Sequence, residues 1–257
     1  MNDSAELQKL IDICHQNLKN TYDAKKYIIG ERGVTKEMCV KYKLGYFPKN
    51  INKLCEYVSR EFLEKAGLID YDGLSEYSDH YPIVFPIYDE YGEPVGLSCR
   101  SLLSDDERRF LGIPKYKNTR YKKTMYLFGF NLAREQILLN QNVFVVEGNF
   151  DQVSMFSAGI KNTVASCGTA FGKTHLIKLS RYTDKITILF DGDDAGIKSS
   201  MKIYEKFVNN GLKLRFAKLP KIYKDPGDYF KADESGLSRT SSDFYKDLTY
   251  INTMEWA

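Results

Sequence analysis

Acidic residues follow three apolar segments of the sequence, each at a point where a strand would end. They are Glu147 and Asp151 in E-G-x-x-D, Asp191 and Asp193 in D-G-D, and Asp225 and Asp228 in D-P-G-D. Carboxylates that lie close together repel one another unless some are protonated or a cation lies between them. Mg²⁺ binds a few carboxylates and leaves positions for water and substrate phosphates. The pattern therefore predicts a divalent-metal site suited to phosphoryl transfer.

Each acidic group alone would be typical of solvated loop residues or helix caps, because glycine and aspartate are common in turns. Three such groups, each directly after an apolar strand-like segment, are much less frequent by chance. The joint pattern favours the metal site over separate loops.

The stretch from 108 to 124 is basic and contains no acidic residue. Its cations are Arg108, Arg109, Lys115, Lys117, Arg120, Lys122 and Lys123, and its aromatic residues are Phe110, Tyr116 and Tyr121. Cations neutralise phosphates and aromatic rings stack on bases, so the composition suits a nucleotide or a single strand. A solvated basic loop is the alternative. The predicted metal site in the same chain favours nucleic-acid binding.

The second half of the chain must position the acids. Its pattern alternates between strands predicted at 142–146, 162–165, 185–190 and 213–219 and helices predicted from 151, at 173–181 and at 194–210. Such alternation is typical of a mainly parallel sheet with helices on its faces. Ligands bind beyond the carboxyl ends of parallel strands, which is where the acidic groups stand.

The first half has a different pattern. Helical spacing predicts helices over 4–20, 22–30, a stretch after Thr35, and 51–65, and two β-rich segments at 81–87 and 95–102 flank a turn and predict a hairpin. We therefore expect an α/β fold in which an α+β amino-terminal subdomain precedes the parallel sheet.

Composition narrows the protein class further. The 257 residues are 43% hydrophobic and 28% charged, as in ordinary globular proteins, and a net charge of +3 does not by itself indicate a nucleic-acid partner. The sequence has no signal-peptide pattern and no apolar run long enough to span a bilayer, so we expect no membrane partner and a cytoplasmic location. The five cysteines stand singly, which argues against disulfides and against a zinc site in this chain.

The three acidic groups resemble the signature segments of the TOPRIM domain of primases and topoisomerases. The stretch Ala165-Ser166-Cys167-Gly168-Thr169 is similar to the A-S-x-G-T element of DnaG-type primases. The resemblance implies that Glu147, Asp191 and Asp193 are catalytic and hold Mg²⁺, with Mn²⁺ as a substitute, and that Asp151, Asp225 and Asp228 also serve the metal. DnaG-type primases usually have D-P-D in the third segment, whereas this chain has glycine at 227, which leaves the choice between Asp225 and Asp228 open.

The first half also resembles the DnaG polymerase core. Its matching segments are Glu31–Thr35 (E-R-G-V-T), Ile83–Arg100, Pro114-Lys115-Tyr116-x-Asn118, and Lys123 with Leu127-Phe128-Gly129. The resemblance covers about residues 22–232 and implies that Arg100, Lys115, Asn118 and Lys123 contact nucleotide or template. It implies the catalytic core of a DNA primase, a DNA-directed RNA polymerase of DNA replication and the primosome that joins ribonucleoside triphosphates on single-stranded DNA.

We therefore expect an amino-terminal subdomain at 1–138, a TOPRIM subdomain at 139–232, and a short tail at 233–257. The family's zinc ribbon and helicase-binding domain have no counterpart in this sequence, so a replicative helicase or a separate zinc-binding module is an expected partner. Location in the bacterial cytoplasm, or in a host cytoplasm for a phage protein, follows from the same resemblance. Two alternatives stay open: a TOPRIM-type nuclease using the same metal cluster, and an inactive nucleic-acid-binding relative.

Overall fold

The computed structural model describes residues 3–167, 171–207, 213–231 and 236–251. The chain divides into two compact units: unit 1 is residues 1–31 and 35–122, and unit 2 is residues 32–34 and 123–257. None of the described helices is both long enough and apolar enough to cross a membrane.

Unit 1 is an α+β structure built around one antiparallel sheet. Its elements are α1 (Asp3–Asn20), α2 (Tyr22–Lys25), a π-helical turn (Lys26–Glu31), α3 (Lys36–Lys41), β1 (Gly45–Tyr46), α4 (Ile51–Leu54), α5 (Arg60–Lys65), α6 (Glu76–His80), β2 (Ile83–Tyr88), β3 (Pro94–Arg100), α7 (Asp105–Leu111) and β4 (Tyr116–Asn118). The strands pair in the order β1-β2-β3-β4, and every pair is antiparallel. The predicted α+β character of this half is confirmed.

The predicted hairpin is β2 and β3. Its turn is held by Asp89, whose side chain accepts hydrogen bonds from the backbone N–H groups of Tyr91 and Glu93 at 2.8 and 2.9 Å. Gly92 has a φ of 92°, a left-handed conformation that glycine adopts without strain. The apolar stripe of α1 is buried with this sheet in one core that includes Leu10, Ile11 and Phe47.

The single helix predicted over 51–65 is wrong, since α4 and α5 are separate. Ser59 ends the irregular segment between them and caps α5 by accepting a hydrogen bond from the N–H of Phe62. The backbone N–H of Ser59 also donates to Glu6 of α1 at 2.9 Å. A contact to a distant part of the chain therefore fixes the break.

Unit 2 contains the predicted parallel sheet. Its elements are a 3₁₀ turn (Lys123–Met125), α8 (Phe130–Asn140), β5 (Val143–Val146), α9 (Asn149–Ser157), β6 (Thr163–Ala165), α10 (Lys173–Ser180), β7 (Lys185–Ile188), α11 (Asp194–Phe207), β8 (Lys213–Lys218), α12 (Pro226–Phe230), α13 (Ser241–Asp247) and β9 (Thr249–Ile251). The strand order is β6-β5-β7-β8-β9, with β6, β5, β7 and β8 parallel and β9 antiparallel to β8. The predicted mainly parallel sheet is confirmed, and β9 is an addition that the sequence pattern did not indicate.

Candidate active site

The acids of the first two motifs meet because β5 and β7 are neighbours in parallel register, with Val145 opposite Ile188. Glu147 follows β5 directly and Asp191 follows β7 after Leu189 and Phe190, so both reach the same edge of the sheet. There the carboxylate Oε1 of Glu147 accepts a long hydrogen bond from the backbone N–H of Asp191 at 3.4 Å. The structure thus brings together Glu147 and Asp191 as the parallel-sheet prediction requires.

Negative charges surround Asp191. Its burial, followed by the charges of Glu147, Asp225 and Asp193, raises the pKa of Asp191 to about 7. Burial and the charge of Asp193 also raise the pKa of Glu147. The nearby charge of Lys224 opposes both rises. Part-buried carboxylates whose pKa values are raised by burial and by neighbouring negative charge are the electrostatic setting in which a divalent cation binds favourably.

Asp193 lies at the start of α11 and is exposed. Its Oδ1 accepts a hydrogen bond from the backbone N–H of Gly196 at 3.0 Å. An added Cβ on Gly196 would lie 2.2 Å from the backbone oxygen of Asp191, so only glycine allows α11 to begin this close to the D-G-D segment. Sequence reasoning missed this position, because a glycine in the first turn of a helix carries no local signal of such an approach.

Asp151 joins the first motif to the third. It is 6% exposed, its Oδ2 accepts the N–H of Gly148 at 3.1 Å, and its Oδ1 accepts the N–H of Gly227 at 3.1 Å. Burial and the charges of Asp225 and Asp191 raise the pKa of Asp151 well above its ordinary value, while the Gly227 hydrogen bond and the charge of Arg32 oppose the rise. Because both oxygens receive backbone donors, Asp151 fixes the D-P-G-D segment beside the E-G-x-x-D segment.

The glycine at 227 has a physical reason. A Cβ at that position would lie 3.0 Å from Oδ1 of Asp151 and 3.2 Å from Oδ1 of Asp225. The space that a second aspartate of a D-P-D segment would need is therefore taken up by two carboxylates. In this chain the following acid, Asp228, is exposed, and its Oδ2 accepts the backbone N–H of Lys224 at 3.2 Å.

Arg32 is a further residue of this region, and the sequence pattern did not reveal its contacts. Its guanidinium lies over the ring of Phe150, 4.6 Å from the ring centre, and its charge acts on the neighbouring Asp151. Arg32 belongs to the E-R-G-V-T segment, which sequence analysis matched to the family without assigning this arginine a role. A cation beside a buried carboxylate offsets part of the cost of that carboxylate's negative charge.

The acids have the chemistry of a site for a hard divalent cation, although among the described residues no three His, Cys, Asp or Glu side chains are already grouped to enclose an ion. Mg²⁺ commonly binds through one or two carboxylates together with waters and substrate phosphates. The raised pKa values of Glu147 and Asp191 fit that mode of binding.

Three of the predicted nucleotide contacts lie in unit 1. Arg100 and Asn118 stand at the ends of the paired strands β3 and β4, and Lys115 is exposed just before β4. Arg100 is 8% exposed, and its guanidinium donates to the hydroxyl of Tyr116 at 2.9 Å and lies over the rings of Tyr116 and Tyr27. Arg100 is therefore packed against aromatic rings, while Lys115 lies at an exposed position.

Lys123 belongs to unit 2. Its backbone carbonyl lies 3.2 Å from Nε2 of His175, and since a carbonyl only accepts, Nε2 carries the proton. Nδ1 of the same ring then accepts the N–H of Gly172 at 3.3 Å. His175 is 1% exposed and its burial lowers its pKa, so a neutral imidazole fixes the turn that carries Lys123.

Part of the basic stretch is neutralised locally. Arg108 and Arg109 pair with Asp105 and Asp106 one helical turn earlier, and Lys117 pairs with Glu76 at 2.6 Å.

In the A-S-x-G-T stretch, Cys167 is buried, which raises its pKa to about 12. The Gly168 and Thr169 of that stretch lie outside the described residues.

A parallel sheet whose strand ends carry E-G-x-x-D, D-G-D and D-P-G-D acids defines a TOPRIM-like nucleotidyl-transfer or phosphoryl-transfer class of domain. The family model described as Toprim-like matches residues 144–230, and the model for the amino-terminal domain of the DNA primase catalytic core matches residues 13–134.

Relatives and solved structures extend this match over most of the chain. The DNA primase of Borreliella burgdorferi is 31% identical over 88% of this chain and 44% of its own length, and that of Mycolicibacterium smegmatis is 35% identical over 71% of this chain and 30% of its own. The chain thus spans less than half the length of these relatives. The RNA polymerase domain of Mycobacterium tuberculosis primase DnaG superposes with a TM-score of 0.76 at 30% identity, covering 88% of this chain and 77% of that one.

The Aquifex aeolicus primase, in a structure with its zinc-binding and RNA polymerase domains, gives a TM-score of 0.79 at 28% identity over 97% of this chain and 61% of that one. A DnaG primase catalytic domain bound to single-stranded DNA gives 0.72 at 27% identity over 88% of this chain and 75% of that one. The chain belongs to the DnaG-type primase family.

Proposed function

We propose that this chain is a primase catalytic core, which joins ribonucleoside triphosphates on a single-stranded DNA template by metal-dependent phosphoryl transfer. The observation that carries the proposal is the meeting of Glu147 and Asp191 at the carboxyl ends of the paired strands β5 and β7. Membership of the primase family supports polymerisation over hydrolysis, and the single-stranded DNA in one relative's structure fits a single-stranded template.

Glu147, Asp191 and Asp193 would hold Mg²⁺, with Mn²⁺ as a substitute. When bound, the cation would stabilise the charge that develops on the transferred phosphate and on the leaving pyrophosphate. In the third motif we assign the supporting role to Asp225 rather than Asp228, because the charge of Asp225 acts on both Asp191 and Asp151. Asp228 instead accepts a backbone hydrogen bond from Lys224. Asp151 serves the site by fixing Gly148 and Gly227.

Arg100, Lys115, Asn118 and Lys123 contact nucleotide or template in this proposal. Lys115→Ala and Lys123→Ala are each expected to raise the KM for ribonucleotides, because an ammonium beside a triphosphate stabilises its charge. Lys49→Ala, at an exposed lysine outside these segments, is the control. Unchanged kinetics in both variants would show that the basic stretch at 108–124 is only a solvated surface.

The reaction itself is tested with the purified protein, single-stranded DNA, labelled ribonucleotides, and Mg²⁺ or Mn²⁺. Short RNA products that require the template are expected. Shortening of labelled DNA without RNA products would identify a nuclease. Binding of DNA with neither reaction would identify an inactive relative. A replicative helicase or a separate zinc-binding protein added to the same assay is expected to raise product yield.

A further inference from the structure

A cavity of about 350 Å³ lies in unit 1, and none of the residues that line it is assigned to the reaction. Its walls come from the last turns of α1, from α2 with the π-helical turn that follows, and from α3. The apolar part of the lining includes Leu18, Ile28 and Cys39, and Val40 contributes a side chain that is 55% exposed. Its volume falls within the ~300 to 1,000 Å³ typical of small-molecule sites. π-Helical turns are rare and often occur at functional sites.

His15 supplies a polar group inside this apolar lining. The residue is 5% exposed, and its Nδ1 lies 2.8 Å from the carbonyl oxygen of Leu44. Since a carbonyl oxygen only accepts, Nδ1 carries the proton. The other ring nitrogen, Nε2, has no hydrogen-bond partner within the described ranges. Nε2 is then an unprotonated acceptor, so this buried residue offers the cavity one nitrogen that a hydrogen-bond donor of a ligand can reach.

The charged residues that line the cavity all have the same sign. They are Lys19, Lys25 and Lys36, and none forms an ion pair with a carboxylate in the described part of the chain. The ammonium of Lys25 donates to the backbone carbonyl of Lys19 at 3.0 Å, which leaves the ammonium groups of Lys19 and Lys36 as the available cations. Lysines lining a concave apolar surface attract an anion.

We propose that this cavity binds a small organic anion, which has a compact apolar body and one carboxylate or phosphate group. The body contacts Leu18, Ile28 and Cys39. The anionic group lies by Lys19 and Lys36, and where it carries a hydroxyl, as a singly ionised phosphate does, that hydroxyl donates to Nε2 of His15. The ligand would join α1, the π-helical turn and α3, so its binding would stabilise unit 1.

Isothermal titration of the intact protein tests this with five probes. 4-Phenylbutyrate and phenyl phosphate carry both an apolar body and an anionic group. 4-Phenylbutanamide carries the apolar body alone, and acetate and inorganic phosphate carry the anionic group alone. We expect one or both of the first two to bind with a Kd of about 0.1 to 1 mM, and the other three to bind about tenfold more weakly or not at all. Which of the two binds identifies the anionic group. Methyl NMR should place the shift changes at Ile28, Ile29 and Val40.

Two variants and a control tie the binding to the named groups. His15→Asn keeps a donor near the place of Nδ1 and removes the acceptor Nε2, and Lys36→Gln removes a charge at an exposed position. Lys36→Gln is expected to weaken binding of either acid, and His15→Asn that of phenyl phosphate, by about fivefold each, the ratio of a ~1 kcal/mol contact. Lys49→Gln should have no effect.

Several results would overturn the proposal. They are no binding of any probe at about 10 mM, equal binding of the amide and the acids, shift changes elsewhere, or unchanged affinity in both variants. Binding of an acidic, leucine-containing peptide without binding of the small acids would instead indicate a protein partner.

Discussion

Gly196→Ala is expected to damage the active site although Gly196 carries no functional group. An added Cβ would lie 2.2 Å from the backbone O of Asp191, 2.9 Å from its carbonyl carbon and 3.0 Å from its nitrogen, where ordinary contact begins at 3.4 Å. All three atoms are backbone, so no side-chain rotation relieves the overlap. The first turn of α11 and the D-G-D segment must separate by about 1 Å.

The size of the effect follows from two opposing terms. Overpacking a buried position costs about 1 to 3 kcal/mol, and replacing a helical glycine by alanine recovers up to ~1 kcal/mol. We therefore expect a net loss of about 1 to 2 kcal/mol in the free energy of unfolding, with the Tm lower by several degrees. The separation would also displace the Asp191 N–H from Glu147, so the affinity for Mn²⁺ should fall.

Urea unfolding followed by circular dichroism, together with calorimetric Mn²⁺ titration, measures both effects. Gly192→Ala is the matched control, because Gly192 lies in the D-G-D motif itself and yet an added Cβ would meet only ordinary contacts at 3.7 and 3.8 Å. Its unfolding free energy should change by less than about 0.5 kcal/mol. Wild-type stability and Mn²⁺ affinity in Gly196→Ala would refute this expectation. Equal destabilisation of Gly196→Ala and Gly192→Ala would refute it as well.

Two further perturbations test the surroundings of the site. Asp151→Asn leaves one oxygen to accept from the two N–H donors of Gly148 and Gly227, so one buried donor is left unsatisfied. The free energy of unfolding, measured by thermal unfolding, should therefore fall by about 1 to 3 kcal/mol. A higher Tm would instead mean that relief of negative charge outweighs the lost hydrogen bond. Burial and the hydrogen bond to Asp247 raise the pKa of Tyr229 to about 12, so the stability this phenol contributes should be present below pH ~10 and be lost as the pH rises through the folded value. Ultraviolet titration of phenolate checks this against Tyr229→Phe, and an alkaline stability profile identical in the two proteins would contradict it.

The parallel sheet of unit 2 could be predicted because β5, β6 and β7 are short apolar runs, and acidic turns follow β5 and β7. Buried strands bear an apolar residue at nearly every position, as Val143–Val146 does, and the pattern is local. The same local pattern led to Glu147 and Asp191, since parallel neighbours deliver their carboxyl ends to one edge.

What could not be predicted depends on contacts between distant residues. Thr249–Ile251 is only three residues long, too short to show a strand period, and becomes β9 by pairing with β8. The break between α4 and α5 is fixed by the Ser59 contact to Glu6, and the closeness of Gly196 to Asp191 depends on how α11 packs. The link from Asp151 to Gly227 joins residues 76 positions apart. No window of sequence contains such information.

The most direct test of the central claim is template-dependent RNA synthesis by Asp191→Asn, measured beside its Mn²⁺ affinity. The neighbouring Asp194→Asn is the control, because it removes the same charge from an exposed position that we assign no role. We predict that Asp191→Asn folds normally, loses Mn²⁺ affinity and makes RNA about 100-fold more slowly or not at all, since a hard cation needs the carboxylate charge. Near-normal synthesis and Mn²⁺ binding by Asp191→Asn would contradict the account.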